Sequence, residues 1–246
     1  MIHEINNIVS WLQEKVTEAN AKGLIVGVSG GLDSAVVANL IKRAFPNNSL
    51  GVIMPLKTNV KDIEDANSVV RSSGIDSLTI DLTETHQILF DEIKNQLKDK
   101  NTLNESMLQL SDANLRARLR MSTLYSLAQN YNYLVVGTDN KSEWFTGYFT
   151  KYGDGGVDLQ PILEFTKSET VEMAKILGVP ETVITKEPSA DLWEGQTDEL
   201  EMGTTYEYID AYIEGKPVPK KDEELIRNMH KRTEHKRNLP PFYKRN

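Results

Sequence analysis

The chain has 246 residues, 39% of them apolar and 26% charged, with a net charge of −8, a globular profile with enough length for a substantial core. It holds no run of about 18 apolar residues, so no membrane span is expected, and so acidic a body argues against a general nucleic-acid surface. The absence of cysteine excludes a Cys-nucleophile glutaminase, a persulfide-carrying thiolase and a Cys zinc site.

Residues 2–21 read as a helix with Ile5, Ile8, Val9, Leu12 and Val16 on one face. That stretch lacks the basic start and apolar core of a signal peptide, so a soluble cytoplasmic protein is the expectation. Leu24 to Val28 is wholly apolar and rich in β-branched residues, which suits a strand buried on both faces. It stops at Ser29-Gly30-Gly31-Leu32-Asp33-Ser34, after which Ala35, Val36, Val37, Leu40, Ile41, Ala44 and Phe45 recur at helical spacing. Strand, glycine turn and helix make a phosphate site, because the backbone comes close and the first N–H groups of the helix point at the anion. The stretch lacks the Lys of a Walker A loop, and its Asp33 would repel polyphosphate unless Mg²⁺ bridged them. It therefore reads as a Mg-nucleotide site with Asp33 on the metal. The alternative is a plain turn with Asp33 and Ser34 as helix caps.

Further along, 49–56 predicts a second strand that Pro55 helps to end, and Asn59 caps a helix that stops at Gly74. Leu78 to Leu82 predicts a third strand, with Thr83 capping the helix after it. Residues 98–106 form a polar connection, Ser111 to Asn130 a long helix, and Tyr133 to Gly137 a fourth strand. The apolar face of that helix (Leu115, Leu119, Leu124, Leu127) suits either a dimer contact or the chain's own core. Leu159 to Leu163 reads as a short fifth strand. The alternation predicts an α/β fold: a doubly wound, mostly parallel five-stranded sheet with helices on both faces, Rossmann-like, with ligands beyond the carboxyl ends of the strands. Residues 1–246 are expected to form a single domain.

The fourth strand leads into Gly137-Thr138-Asp139-Asn140-Lys141-Ser142-Glu143, at the same sheet edge as SGGLDS. Thr138 offers a hydroxyl and Glu143 a second metal carboxylate; taken alone, they would be ordinary residues of a capped helix start. The loop 144–158 mixes aromatics, glycines and charge, suited to stacking on flat rings, with Lys151 able to pair with an anion; a surface loop is the alternative. Lys167 stands in the first turn of a helix, against the dipole, which fits a nearby anion. Residues 186–202 are polar and turn-rich, as lids are, and Ser189 either bonds a phosphate or caps a turn. Residues 215–246 carry ten Lys and Arg against four acidic residues. That tail suits RNA, a solvated helix or a lid over an anionic substrate. His235, taken alone, reads as structural.

SGGLDS resembles the PP-loop of the ATP pyrophosphatases, the adenine nucleotide alpha-hydrolase-like enzymes that split ATP between its α and β phosphates. The stretches GTDNKSE, GYFTKYGDGGVDLQPI, TKSE, KEPSADLWEGQTDE and HKR resemble bacterial NAD synthetases along nearly the whole chain. The resemblance implies a homodimeric, ammonia-dependent ligase that amidates nicotinic acid adenine dinucleotide (deamido-NAD) with ATP and Mg²⁺, without nucleic acid or membrane. It implies ATP contacts from Gly27, Ser29, Gly30, Gly31, Asp33, Ser34, Met54, Arg118, Thr138, Lys167 and Ser189. It implies Mg²⁺ on Asp33 and Glu143, and deamido-NAD contacts from Arg120, Lys151, Asp154, Asp158, His235 and Lys236. Asp33, Glu143 and Lys167 would carry the catalysis. Arg118 and Arg120 lie in N-x-x-A-R-x-R-M, a family pattern from 114 to 121 that would act across the dimer interface; Arg116 beside them reads as solvated. Few residues precede Ser29, so no amidotransferase domain is expected ahead of the loop, and nitrogen is expected as free ammonia or from a separate glutaminase. GYFTKYGDGG and SADLWEGQTDE argue against a GMP synthetase core or a tRNA-lysidine synthetase. The pair Asp33 and Glu143 argues against a non-catalytic nucleotide sensor.

Overall fold

Helix α1 (Ile2–Glu18) buries Ile5, Ile8, Leu12 and Val16, the stripe that its spacing sets. The structure, a computed structural model, describes residues 1–189 and 197–245. After α1 come β1 (Gly23–Gly27), α2 (Leu32–Ala44), β2 (Ser49–Ile53), α3 (Val60–Ser73) and β3 (Asp76–Thr79). Then follow α4 (Thr83–Asp99), α5 (Leu108–Tyr131) and β4 (Tyr133–Val135). Shorter helices complete the chain: α6 (Lys141–Thr146), α7 (Lys167–Leu177), α8 (Glu181–Ile184), α9 (Asp198–Met202), α10 (Tyr206–Ile213), α11 (Lys220–Arg232) and α12 (Glu234–Arg237).

The strands form one parallel sheet in the order β3-β2-β1-β4. β1 is central, and alternation along it feeds two cores. Leu24 and Val26 join α1, α2 and α7, whereas Ile25 joins Leu124 and Ala128 of α5 on the other face. Leu119 and Leu127 also pack on that second core, so this stripe of α5 serves the protomer itself. A third cluster, Met202, Tyr206, Ile209 and Ile226, ties α9, α10 and α11 together. The strand order reverses between β1 and β4, and the crevice outside their carboxyl ends is where such sheets bind ligands. Among the described residues no helix is long and apolar enough to cross a membrane.

The expected fifth strand shrinks to a single parallel bridge between Val136 and Leu159, because Pro161 offers no N–H to a ladder and the chain turns there. The third strand lies earlier than its apolar residues suggest: β3 is an exposed edge, and Ile80 and Leu82 bond to Ile53 and Pro55 carbonyls beyond it. Thr83 does not cap α4; its N–H donates instead to Asp81 Oδ1 at 2.8 Å. Asn59 does cap α3, accepting from the Asp62 N–H, and Gly74 ends that helix at φ 67°. Leu40 of α2 is wholly buried. Leu40→Ala should therefore cost about 3 kcal/mol in urea unfolding while leaving the activity of folded molecules unchanged.

Candidate active site

The phosphate loop is shaped by contacts on its outer side. Gly30 has φ +85°, and a Cβ there would lie 2.7 Å from the Asp62 carbonyl oxygen and 2.8 Å from the Ala66 nitrogen of α3. Only glycine fits this turn. Ser34 Oγ donates to the Gly31 carbonyl at 3.0 Å and accepts the Ser29 N–H at 3.2 Å, so the loop is closed on itself. No side chain caps α2 at Gly31, and Asp33 points elsewhere, which removes the capping alternative. The first turn of α2 thus offers its N–H groups as an anion site.

Asp33 meets Lys167, whose Nζ lies 2.5 Å from Asp33 Oδ2 and 3.4 Å from Glu143 Oε1. Asn140 Nδ2 donates to the other Asp33 oxygen at 3.1 Å. Asn140 and Glu143 form a capping box at the start of α6, and Thr166 and Glu169 form another at α7. These boxes fix the two helix starts that carry Glu143 and Lys167. Lys167 is 7% exposed. Burial alone would push its ammonium down, but the charges of Asp33 and Glu143 reverse this and hold it above the ordinary lysine value. Burial, then the charge of Asp33, push Glu143 up to about 8.

Several residues that complete this centre are not among the site residues expected from sequence. Asp210 of α10 accepts from Ser142 Oγ at 2.5 Å, and from the Ser168 N–H and Oγ at 3.0 and 2.6 Å. It thereby joins α6 to α7, one residue from each functional side chain. The Tyr206 hydroxyl donates to Asp198 Oδ2 at 2.9 Å and lies 3.2 Å from Glu143 Oε1. Burial raises Asp198, and Lys167 only partly offsets this. Asp139 is buried against Gln160, and burial holds it well above the usual carboxylate range. A polar stretch such as TDELEMGTTYEYID gives no local hint that its Asp and Tyr face a distant loop.

These groups open on a cavity of about 610 Å³. It brings together Gly27, Ser29, Gly31, Asp33, Ser34, Met54, Arg120, Thr138, Glu143, Asp154, Lys167, Ser189 and Lys236 of the expected site residues. Met54 closes on Gly27, where a Cβ would meet its methyl carbon at 3.2 Å, and its carbonyl accepts from Arg120 Nε at 3.3 Å. Lys236 Nζ donates to the Gly147 and Phe149 carbonyls at 2.8 and 2.6 Å. Gly30, Arg118, Lys151, Asp158 and His235 lie outside the lining. Gly30 is turned against α3. Arg118 donates to the Lys151 carbonyl at 3.3 Å, and Lys151 Nζ to the His235 carbonyl at 2.5 Å. Asp158 accepts from Tyr125 Oη at 3.0 Å and from the Val135 N–H at 2.8 Å. Arg116 is not solvated: it is 8% exposed and paired with Asp112, which also faces His86 Nε2 at 3.1 Å. Part of the expected lid, residues 190–196, lies outside the described residues.

A model of the NAD synthase family matches residues 4–240. The NH(3)-dependent NAD(+) synthetase of Alkaliphilus oremlandii is 57% identical over 96% of this chain and 95% of its own. That of Carboxydothermus hydrogenoformans is 49% identical over 95% and 93%. Among solved structures, NMN synthetase from Francisella tularensis superposes with a TM-score of 0.90 at 37% identity, covering 98% of this chain and 97% of that one. The NH3-dependent NAD synthetase from Campylobacter jejuni superposes at 0.78 with 28% identity, covering 98% of both.

The raised Glu143 gives a stability signature. Native Glu143 stays protonated up to about 8, above its ordinary 4.5, so folding binds a proton across that window. Its contribution is complete below the lower value and is lost as pH rises through the upper one. Glu143→Gln lacks that loss. Its melting temperature relative to the unsubstituted protein should therefore rise from pH 5 to pH 8 without ligands; a difference that stays flat would contradict the assignment.

Proposed function

The chain belongs to the NAD synthase family, and we propose that it forms NAD from deamido-NAD and ammonia, with ATP activating the acid. The observation that carries this reading is the buried set of Asp33, Lys167 and Glu143 at the mouth of the phosphate loop. Two carboxylates within reach of one ammonium suit a divalent cation as well. Among the described residues no third His, Cys, Asp or Glu joins them in a metal cluster, so phosphate oxygens would have to complete the shell, as they do for Mg²⁺. Asp33 and Glu143 would hold that ion, which when bound neutralises phosphate charge.

Ser29, Gly31 and Ser34 cradle the ATP phosphates on the turn that Gly30 makes, with Thr138, Lys167 and Ser189 at their other side and Gly27 and Met54 toward the nucleoside. Arg120, Asp154 and Lys236 serve deamido-NAD from the cavity lining, whereas Arg118, Lys151, Asp158 and His235, outside that lining, brace its walls. Its nicotinate carboxylate oxygen attacks the α-phosphorus, and the bond from that phosphorus to pyrophosphate breaks. The loop N–H groups and Lys167 take up charge on the departing pyrophosphate. Ammonia then attacks the carbonyl carbon of the acyl-adenylate, the acyl–oxygen bond breaks, AMP leaves and the nitrogen gives up a proton. No covalent enzyme intermediate is needed. This chain holds no cysteine, so nitrogen enters as ammonia rather than from glutamine cleaved on a Cys of its own.

We place the whole chain, 1–246, in a single catalytic domain and the protein in the cytoplasm. Its assembly is a homodimer, with the exposed Ile88 of α4, Met107 just before α5 and Leu110 of α5 turned toward a second copy. The Francisella structure favours one second reading, in which the acceptor is the mononucleotide, nicotinic acid mononucleotide.

The test is an assay with ATP, Mg²⁺ and either acceptor, with ammonium or glutamine. NAD, AMP and pyrophosphate in equal amounts, from deamido-NAD with ammonium only, is the expected result. Product from the mononucleotide alone selects the second reading, and AMP release without either product discards both acceptors. Asp33→Ala and Glu143→Ala should each lower turnover by about a hundredfold or more while remaining folded. Activity retained by both would remove the metal assignment.

A further inference from the structure

We propose that Lys186 is a positioning residue for the ATP phosphates, fastening the cavity wall that carries Ser189 to the turn of α3 against which the phosphate loop rests. The inference depends on reading the cavity as an ATP site. Asp62 and Asp65 stand three residues apart in the first turns of α3, so they share a face. Both are buried, and Asp62 is 2% exposed. Two carboxylates held together out of water are costly unless a cation joins them. Lys186 is that cation: its Nζ bonds Asp62 Oδ1 and lies 3.3 Å from Asp65 Oδ2.

The contacts on either side give the pair its significance. On one side, the Asp62 carbonyl, the Asp65 Cβ and the Ala66 nitrogen form the surface that a Cβ at Gly30 would strike. The phosphate loop is thus seated on the turn that Lys186 grips. On the other side, the chain runs from Lys186 directly into Glu187, Pro188 and Ser189, which line the cavity. There the Pro188 carbonyl accepts the Asp198 N–H at 3.0 Å, and Asp198 leads through Tyr206 to Glu143. Lys186 therefore links a chain of contacts beside the place where phosphates would sit: Gly30, Asp62, Lys186, Pro188, Asp198, Tyr206 and Glu143. Deleting its ammonium unfastens the Ser189 wall and leaves two buried carboxylates unpaired behind the loop. Ligands held elsewhere in the cavity do not depend on this fastening.

Equilibrium titration of the full-length protein with ATP and, separately, with deamido-NAD tests the proposal. Lys186→Met should weaken ATP binding about tenfold, the scale of a lost hydrogen bond to a charged group, and leave deamido-NAD binding unchanged. Lys186→Arg, which can still reach both carboxylates, should stay close to the unsubstituted protein. The triple variant Asp62→Asn, Asp65→Asn, Lys186→Met removes all three charges, and it should still bind ATP weakly, because the tie remains broken. ATP binding by Lys186→Met at full strength, an equal loss for both ligands, or recovery of ATP binding in the triple variant would each overturn the proposal; the last would reduce Lys186 to charge compensation. An unsubstituted protein that binds ATP but not deamido-NAD would instead count against the amidation reading, and its ATP arm would still decide the role of Lys186.

Discussion

The ion set of Asp33, Lys167 and Glu143 is the constraint on which the rest of the site depends. Its members come from α2, α7 and α6, so no local segment can form it. Removing an ammonium, a carboxylate and a second carboxyl group from water is unfavourable unless their geometry is good and their remaining hydrogen-bonding capacity is used. The surroundings meet that condition. Asn140 takes the second oxygen of Asp33, and the Asn140 N–H takes the second oxygen of Glu143. The ring of Tyr206 lies under the Lys167 ammonium, 4.9 Å from its centroid. Asp210 then locks the two helix starts together, so that a displacement of α10 would be felt at both Glu143 and Lys167.

The sheet determines where such a set can be assembled. With β1 between β2 and β4, the chain leaves β1 on one side and returns on the other, and the turn after β1 faces the turn after β4 across the reversal point. The phosphate loop occupies the first turn and Thr138 to Glu143 the second. The C-terminal helices act as a bracket over this crevice. Arg237 Nη1 donates to the Trp144 and Phe145 carbonyls, each at 3.2 Å, and His230 stacks on Phe145 with centroids 4.1 Å apart. The basic tail thus has a structural use in holding the end of α6 and the chain that follows it, apart from any solvated or nucleic-acid-facing role.

Residues whose placement follows from local geometry were readable in the sequence. SGGLDS, GTDNKSE and TKSE each lie where a strand or turn enters a helix, and there residue type and spacing are enough to bring the side chains to one sheet edge. Lys167 was readable because it sits against a helix dipole, a small local conflict that a nearby anion resolves. The same logic failed where the signal is not local. β3 is an exposed edge, so the apolar residues 78–82 marked packing beyond the strand rather than the strand itself. Arg116 read as a solvated arginine, because its partner Asp112 and the buried His86 become relevant only when α4 and α5 pair. Tyr206 and Asp210 gave no warning at all, and Asp198 none beyond lying in a polar lid stretch, since acidic and tyrosine residues there suit solvent equally well.

The central position of β1 also governs how the molecule comes into being. Its edge toward β4 is completed when Tyr133, Leu134 and Val135 reach Gly23, Leu24 and Ile25. At about 5–20 residues per second, a ribosome needs roughly 5 to 20 seconds to make the intervening chain. Throughout that interval the most apolar strand of the protein, LIV at 24–26, has a bare edge of N–H and C=O groups able to pair with any other strand nearby. Yield in a cell will therefore be set by protection of the nascent chain at least as much as by stability of the finished fold, and slowing translation between β3 and β4 would lengthen the exposure rather than help folding.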